Sequence, residues 1–175
     1  MKFALVFLIF GATTAQSDSF CGVTDEAAVL DALQGHWVRA GATSIESVSI
    51  SEVSPVSWPA EFGRTGEVDA WEVTTAFAIS DVVLGFDGPI YDVDGVDDIL
   101  ETTGSEWIAD AVSLTPCGPD GLLQPTADFA FDELVTGQVT VIPYFSDSML
   151  MIVEARLRGD FGVAFITTST LMTRD

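Results

Sequence analysis

The alternation of apolar and polar residues along the chain predicts a mainly β protein with one short helix near its amino terminus. In the segment from Thr24 to Gly35, apolar residues recur at helical spacing, acidic residues occupy the first turn and a glycine stands at the end. Thr24 is the expected N-cap of this helix, because its hydroxyl can accept a hydrogen bond from the first turn. The segments that follow alternate with a period of two, which is typical of strands.

The longest early run of alternation lies in residues 68–83. Trp71, Val73 and Phe77 share one face of this run, and mostly small or polar residues occupy the other. A strand of this length is typical of barrels and strongly bent sheets, although a break within the run fits the pattern equally well. Shorter and less regular strand candidates lie in residues 44–53, 107–114 and 127–131.

The C-terminal third of the chain has the most regular alternation. It predicts three strands, residues 138–145, 149–158 and 161–173, joined by short turns at Ser146-Asp147-Ser148 and Gly159-Asp160. Consecutive strands with turns this short form an antiparallel meander. With about six to ten predicted strands in all, closure of the meander into a barrel is one way to bury every strand without an exposed edge.

The amino-terminal residues predict export. Lys2 precedes an apolar run from Phe3 to Phe10, and small residues follow it, which is the layout of a secretory signal peptide. The run is too short to cross a bilayer, which takes about 20 residues. We expect a signal peptide over residues 1–15, with cleavage after Ser17 as the alternative to cleavage after Ala15. The remainder, residues 16–175, is expected to form a single β-rich domain that is secreted or periplasmic.

The mature chain is strongly acidic. The sequence has 27 Asp and Glu residues against six Lys and Arg, and removal of Lys2 leaves five arginines and a formal net charge of −22. A nucleic-acid-binding protein needs a basic patch that neutralises phosphates, and an anionic membrane surface attracts basic segments, so we expect neither partner. The acidic residues form a solvated surface or one that attracts cations or a basic protein partner.

Two cysteines, Cys21 and Cys117, remain after cleavage of the signal peptide. In an oxidising compartment an even pair predicts one disulfide, here between the mature amino terminus and the middle of the chain. No further ligands stand at zinc-like spacing, so we expect no metal-binding role for these cysteines.

The predicted helix leads into Gly35-His36-Trp37, and Arg174 stands near the end of the last strand candidate. In these features the chain resembles lipocalin-like barrels, whose first strand carries a Gly-x-Trp motif and whose late arginine packs over that tryptophan. The resemblance implies that Gly35, Trp37 and Arg174 close one end of a barrel that holds a small apolar ligand. The alternative, as in secreted bacterial protease inhibitors of similar shape, is a module that binds another protein.

In such a barrel the inward row of the C-terminal meander would line the ligand cavity. The same row would form the core if the barrel were filled with side chains. The residues predicted to contact a ligand are Trp37, Met149, Met151, Val153, Val163 and Phe165.

An acidic segment in the middle of the chain partly matches a calcium loop. Asp92, Asp94, Asp98 and Glu101 coincide with positions three, five, nine and twelve of an EF-hand. The first ligand position is Ile90 rather than an aspartate, so a principal ligand is missing. A calcium site is therefore weighed against a solvated acidic loop, and no other cofactor is expected.

Candidate catalytic residues are few. The single histidine, His36, lies beside Trp37, and the sequence has no Gly-x-Ser-x-Gly elbow and no evident Cys-His pair. Carboxylates are plentiful, but no pair among them stands out as a general acid and base. We therefore expect a protein that binds its partner without catalysing a reaction.

Overall fold

A computed structural model describes residues 18–47, 51–64, 70–73, 82–112, 115–130, 133–160 and 162–174. The predicted signal peptide lies outside these residues. The described chain is mainly β and contains one antiparallel sheet of eight strands, in the order β4-β3-β2-β1-β8-β7-β6-β5. The strands are β1 Gly35–Ser47, β2 Ser51–Arg64, β3 Ala70–Val73, β4 Val82–Val83, β5 Thr126–Ala130, β6 Val135–Phe145, β7 Ser148–Gly159 and β8 Gly162–Arg174.

The C-terminal meander is confirmed, because β6 pairs with β7 and β7 pairs with β8 in antiparallel ladders. The last strand, β8, also pairs with the first strand, β1, so the first and last strands of the chain are neighbours in the sheet. At the outer edges, Gly85 and Thr126 form one isolated antiparallel bridge, with N–H···O distances of 2.8 and 2.7 Å. Within the described residues this bridge, rather than a ladder, links the β4 edge to the β5 edge.

Two early strand predictions each cover parts of two strands. The 68–83 run contains both β3 and β4, which pair with each other, so the broken alternative is the correct one; residues 74–81 lie outside the described part. The 44–53 candidate spans the end of β1 and the start of β2, where Glu46 pairs with Ser51. In both places, alternation continues across a chain reversal and hides it.

The predicted amino-terminal helix is confirmed as α1, Glu26–Leu33. Its N-cap is Asp25 rather than Thr24, because the Asp25 carboxylate accepts hydrogen bonds from the N–H groups of Ala27 and Ala28. Two further helices lie between β4 and β5: α2, Val93–Thr103, and α3, Trp107–Val112.

The prediction of a strand over residues 107–114 is wrong. Helix α3 begins there, and Ile108, which is fully buried, packs into the hydrophobic cluster beneath α2. In a segment this short, the pattern of apolar residues does not distinguish a strand from a buried helix of one or two turns. The preceding helix ends at Gly104, which adopts a left-handed conformation with φ 66°, and the chain turns directly into α3.

The two faces of the sheet bury two separate hydrophobic clusters, because successive side chains of a strand point to opposite faces. Met149 and Met151 of β7 lie on the face covered by α1, whereas Leu150 and Ile152 lie on the face covered by α2 and α3. The α1-face cluster contains Val29, Leu30, Leu33, Trp37, Leu84, Ala127, Phe129, Val139, Val141, Met149, Met151, Val153, Ala155, Ile166 and Met172. The α2–α3-face cluster contains Val96, Leu100, Ile108, Leu122, Ile142, Tyr144, Leu150 and Ile152.

Candidate functional site

A cavity of about 410 Å³ lies on the α2–α3 face of the sheet, partly open to solvent. This volume is in the range of roughly 300–1,000 Å³ that is common for small-molecule sites. Its walls come from α2, α3, the segment 115–119 and strand β6. The described residues that line it are Val93, Val96, Asp97, Ala109, Thr115, Pro116, Cys117, Gly118, Pro119 and Tyr144.

Helix α2 forms one wall of the cavity because both of its ends are fixed. At its start the Asp92 carboxylate accepts a hydrogen bond of 2.8 Å from the N–H of Gly95. Near its end the Thr103 hydroxyl is 2.6 Å from the Ser169 hydroxyl of β8, and both side chains are fully buried. With the helix held in this way, Val96 points into the cluster and Asp97, the next residue, is exposed at the cavity.

The segment 115–119 is held by the predicted disulfide. Cys21 and Cys117 are bonded, with a Cα–Cα distance of 5.9 Å, so the predicted pairing is confirmed. The chain around Cys21 is itself attached to β6: the Phe20 N–H donates to the Tyr144 carbonyl at 3.2 Å. The disulfide therefore connects the loop wall of the cavity to the strand that carries Tyr144.

The Gln124 side chain also braces the loop. Its Nε2 donates to the carbonyl oxygens of Pro119 and Tyr91, each at 2.8 Å, and its Oε1 accepts from the Tyr91 N–H at 2.9 Å. The Tyr91 hydroxyl in turn donates to the Glu154 carboxylate at 2.5 Å. Partial burial, then the hydrogen bond and charge of Glu154, raise the pKa of Tyr91 above its ordinary value.

Tyr144 is the buried polar residue of the cavity wall. It lies at an irregularity in the β6–β7 pairing, between Pro143 and Phe145, and is only 1% exposed. Within the described residues its hydroxyl has no hydrogen-bond partner. Burial, and secondarily the Asp97 carboxylate, raise the pKa of Tyr144, so the phenol stays protonated at neutral pH. An unsatisfied buried hydroxyl costs about 1–3 kcal/mol, which a ligand or water that bonds to it would recover.

The sequence does not predict Tyr144, Asp97 or Gln124 as site residues. Tyr144 belongs to a strand that reads as ordinary core, and Asp97 is one of many acidic residues in its neighbourhood. Nothing in the spacing of Asp97 and Tyr144 along the chain signals that both line one cavity, or that Gln124 holds the loop beside it.

The predicted ligand row is placed only in part as expected. Met149, Met151 and Val153 are at most 1% exposed and lie in the α1-face cluster, on the opposite side of the sheet from the cavity. Their role in ligand binding stays a prediction.

The placement of Val163 and Phe165 in the same row is wrong. In the β7–β8 ladder Met151 pairs with Thr170 and Arg156 pairs with Phe165, so Phe165 points away from the methionines and is 58% exposed. The physical reason is the turn: β7 ends at Gly159, which pairs with Gly162, and a two-residue turn pairs odd-numbered with even-numbered residues. The even-numbered residues of β8 therefore face the α1-face cluster.

Trp37 and Arg174 meet at one end of the sheet, where they are opposite residues of the β1–β8 ladder. The Arg174 guanidinium carbon lies 4.6 Å from the centre of the Trp37 ring. Trp37 is 1% exposed, and its indole Nε1 donates to the Leu33 carbonyl at 3.0 Å. Gly35 has a φ of +125°, and a Cβ there would lie 3.1 Å from the guanidinium.

The Arg174 guanidinium also closes the end of α1. It donates to the carbonyl oxygens of Ala32 at 2.5 Å, Gln34 at 3.0 Å and Ser146 at 3.1 Å. The first two carbonyls belong to the C-terminal turn of α1, where carbonyl groups lack partners within the helix. One cation thus joins α1, the β6–β7 turn and the buried tryptophan.

The predicted calcium loop is not formed. Asp92 caps α2, and Asp94, Asp98 and Glu101 lie within that helix. Their carboxylates are therefore spread along a helix and are not gathered around one calcium ion, as they would be in an EF-hand loop. Among the described residues there is no group of three or more His, Cys, Asp or Glu side chains that could hold a metal ion. The helix forms because Val96 and Leu100 recur at helical spacing and bury one face.

The side chain of His36, the only histidine, lies outside the described part of the structure. Among the described helices, none is long and apolar enough to span a bilayer. Comparison with protein-family models, with curated protein sequences and with solved structures finds no match to this chain.

Proposed function

We propose that this chain is an exported, non-catalytic protein that binds a small, largely apolar ligand in the cavity on the α2–α3 face. The observation that carries the proposal is a cavity of about 410 Å³ that is lined in part by Tyr144, whose buried hydroxyl has no hydrogen-bond partner within the described residues. Binding sites for small molecules are mostly apolar cavities with a few polar groups that orient the ligand. The cavity has this composition, since Asp97, Thr115 and Tyr144 are its polar side chains among the described lining residues.

Binding without chemistry is the function that fits these side chains. Catalysis by acid–base or nucleophilic groups requires a nucleophile or general base within hydrogen-bond reach of a partner. The raised pKa of Tyr144 keeps its phenol neutral, and Cys117 is consumed in a disulfide. Asp97 is exposed, and its position suits contact with a ligand better than activation of a nucleophile.

We further propose a lipocalin-like barrel as the scaffold. Three observations support it: the pairing of β8 with β1, the bridge between Gly85 and Thr126 at the outer edges, and the contact of Arg174 with Trp37. The first two are what a closed meander barrel requires, and the third is the contact that the resemblance to lipocalin-like barrels implies. Export is supported by the signal-peptide pattern of residues 1–15 and by the disulfide, which is typical of oxidising compartments.

A dye-binding experiment tests the function. N-phenylnaphthylamine is a neutral apolar dye whose fluorescence rises in apolar surroundings. We expect the mature, oxidised protein to bind it, and we expect Ala109→Phe to abolish binding, because Ala109 lines the cavity and a phenyl group would fill it. Ala28→Phe is the matched control, since Ala28 is exposed on α1 and does not line the cavity on the α2–α3 face.

Two outcomes would overturn the proposal. If Ala109→Phe binds the dye as tightly as the parent protein, the ligand site is elsewhere, and the α1-face row with Met149 and Met151 becomes the candidate. If the parent protein binds no dye at any concentration tested, ligand binding fails as a function. The alternative is then the acidic interaction module, in which exposed apolar residues such as Ile90 and Val93 contact a basic protein partner.

A further inference from the structure

We propose that the cavity selects organic cations, namely small ammonium compounds with an apolar body, and that Asp97 is the residue that recognises the charge. This inference rests on the proposed function, because it concerns the ligand of the same cavity. The inference goes beyond the proposed function because it assigns a positive charge to the ligand and names the side chain that binds that charge.

The charge of the cavity wall is the first argument. Asp97 is the only charged residue among the described residues that line the cavity. Helix α2, which carries it, contains Asp94, Asp98 and Glu101 but no lysine or arginine. Within the described residues Asp97 has no ion-pair partner. The mature chain carries 27 carboxylates and five arginines, so the field of the whole protein also attracts cations and repels anions.

Tyr144 supplies the second argument. Tyr144 lies in the same wall, and an aromatic ring attracts an ammonium group that reaches its face. Its neutral hydroxyl has a free acceptor, and an ammonium N–H that reaches this oxygen would satisfy it. A carboxylate ligand could also accept from the hydroxyl, but it would be repelled by Asp97.

The remaining walls define the body of the ligand. Val93, Val96, Ala109, Pro116 and Pro119 offer hydrocarbon surface without charge. A water molecule takes about 30 Å³ in the liquid, so a cavity of about 410 Å³ has room for roughly a dozen groups of that size. A ring with a short aminoalkyl chain fits this description.

Three probes with the same phenyl body separate charge from shape: phenethylammonium, phenethyl alcohol and hydrocinnamate. Each is measured at pH 7 by displacement of N-phenylnaphthylamine and by calorimetry. We expect the ammonium to bind about fivefold to tenfold more tightly than the alcohol, from one partly exposed ion pair and one cation–π contact. The carboxylate should bind most weakly, and the preference for the ammonium should shrink as salt is added.

Variants of α2 locate the effect. Asp97→Asn should remove the ion-pair share of the preference, so that the affinity for phenethylammonium falls toward that for the alcohol, and it should leave the affinity for the alcohol unchanged. Asp97→Glu should keep the preference. Asp98→Asn is the matched control, because Asp98 is the adjacent acidic residue of the same helix but does not line the cavity.

The outcomes distinguish this inference from the proposed function. If the alcohol competes as well as the ammonium, ligand binding stands and charge selection is wrong. If Asp98→Asn lowers the ammonium affinity as much as Asp97→Asn, the overall acidic field selects the cation and the assignment of Asp97 is wrong. If none of the three probes displaces the dye and none gives heat, the cation inference fails, whereas dye binding that Ala109→Phe abolishes still supports the proposed function.

Discussion

Replacement of Arg174 by alanine should destabilise the fold far more than its position on the surface suggests. The substitution removes three hydrogen bonds, to the carbonyl oxygens of Ala32, Gln34 and Ser146, and the contact with the Trp37 ring. It leaves the β8 backbone in place, including the hydrogen bond that the Arg174 N–H donates to Asp147. The carbonyls at the end of α1 would then depend on water.

The magnitude follows from these contacts. An ordinary hydrogen bond contributes about 0.5–1.5 kcal/mol net, and the low end applies here because Arg174 is exposed. A cation–π contact at an exposed site adds about 0.5–1 kcal/mol. We therefore expect Arg174→Ala to lower the free energy of unfolding by about 2–2.5 kcal/mol, which in a domain of this size corresponds to a fall in Tm of roughly 4–10 °C. Arg174→Lys should lose about half as much, because an ammonium keeps the charge but cannot reach three carbonyls at once.

Urea unfolding of the oxidised protein, followed by tryptophan fluorescence and circular dichroism, measures this effect. Arg158→Ala is the control, because Arg158 is exposed on β7 and its side chain has no hydrogen bond or ion pair among the described residues. We expect that variant to lie within about 0.5 kcal/mol of the parent protein. If Arg174→Ala is no less stable than Arg158→Ala, the guanidinium does not join α1 to the sheet in solution and the argument fails.

Three further predictions concern packing, the disulfide and pH. Gly137→Ala should lower the free energy of unfolding by about 1–3 kcal/mol in urea, because the new Cβ would lie 2.4 Å from a β7 carbonyl oxygen, whereas Gly85→Ala, with nothing within 4 Å, should be neutral. The Cys21→Ser/Cys117→Ser variant should lose up to about 4.7 kcal/mol on the chain-entropy estimate and bind N-phenylnaphthylamine more weakly; unchanged dye affinity would show that the loop keeps its place without the disulfide. The raised pKa of Tyr91 means that the folded state holds the phenol proton more tightly than the unfolded state, so stability is fully present below the ordinary value of 10.0 and falls as pH rises above it. Tyr91→Phe should flatten that fall, and equal slopes in the two proteins would contradict the assignment.

Much of the β structure is predictable because its signals are local. In the C-terminal third, alternation and short turns together fix three strands to within three residues at each end of the observed β6, β7 and β8. Which residues of two neighbouring strands share a face of the sheet is harder to predict, because it depends on how the strands pair across the turn. A two-residue turn pairs odd-numbered residues of β7 with even-numbered residues of β8, so the row of Met149 and Met151 continues in the even-numbered residues of β8. The sequence prediction follows odd-numbered residues through the turn, and it is therefore correct for the two methionines and wrong for Phe165.

The site is less predictable because it is built from contacts distant in sequence. The pairing of Cys21 with Cys117 follows from a count of cysteines, but the count says nothing of the cavity that the bonded loop encloses. In the acidic segment after Asp92, the sequence suggests a calcium site that the structure does not form. A loop motif and a helix start share the same residue types, and here the aspartate caps a helix.

The placement of the cavity outside the sheet has a consequence for how stability and binding are related. Its floor is the sheet, through Tyr144, but its loop wall is held by the disulfide and by Gln124, which are separate from the α1-face cluster. Loops held by few contacts open locally at a lower free energy than the sheet unfolds. A substitution in the α1-face cluster, such as Met151→Ala, should therefore reduce global stability and leave ligand affinity nearly unchanged. Gln124→Ala should instead lower ligand affinity, because it removes the three hydrogen bonds that hold the wall, and the groups left unpaired at Tyr91 and Pro119 should lower global stability as well.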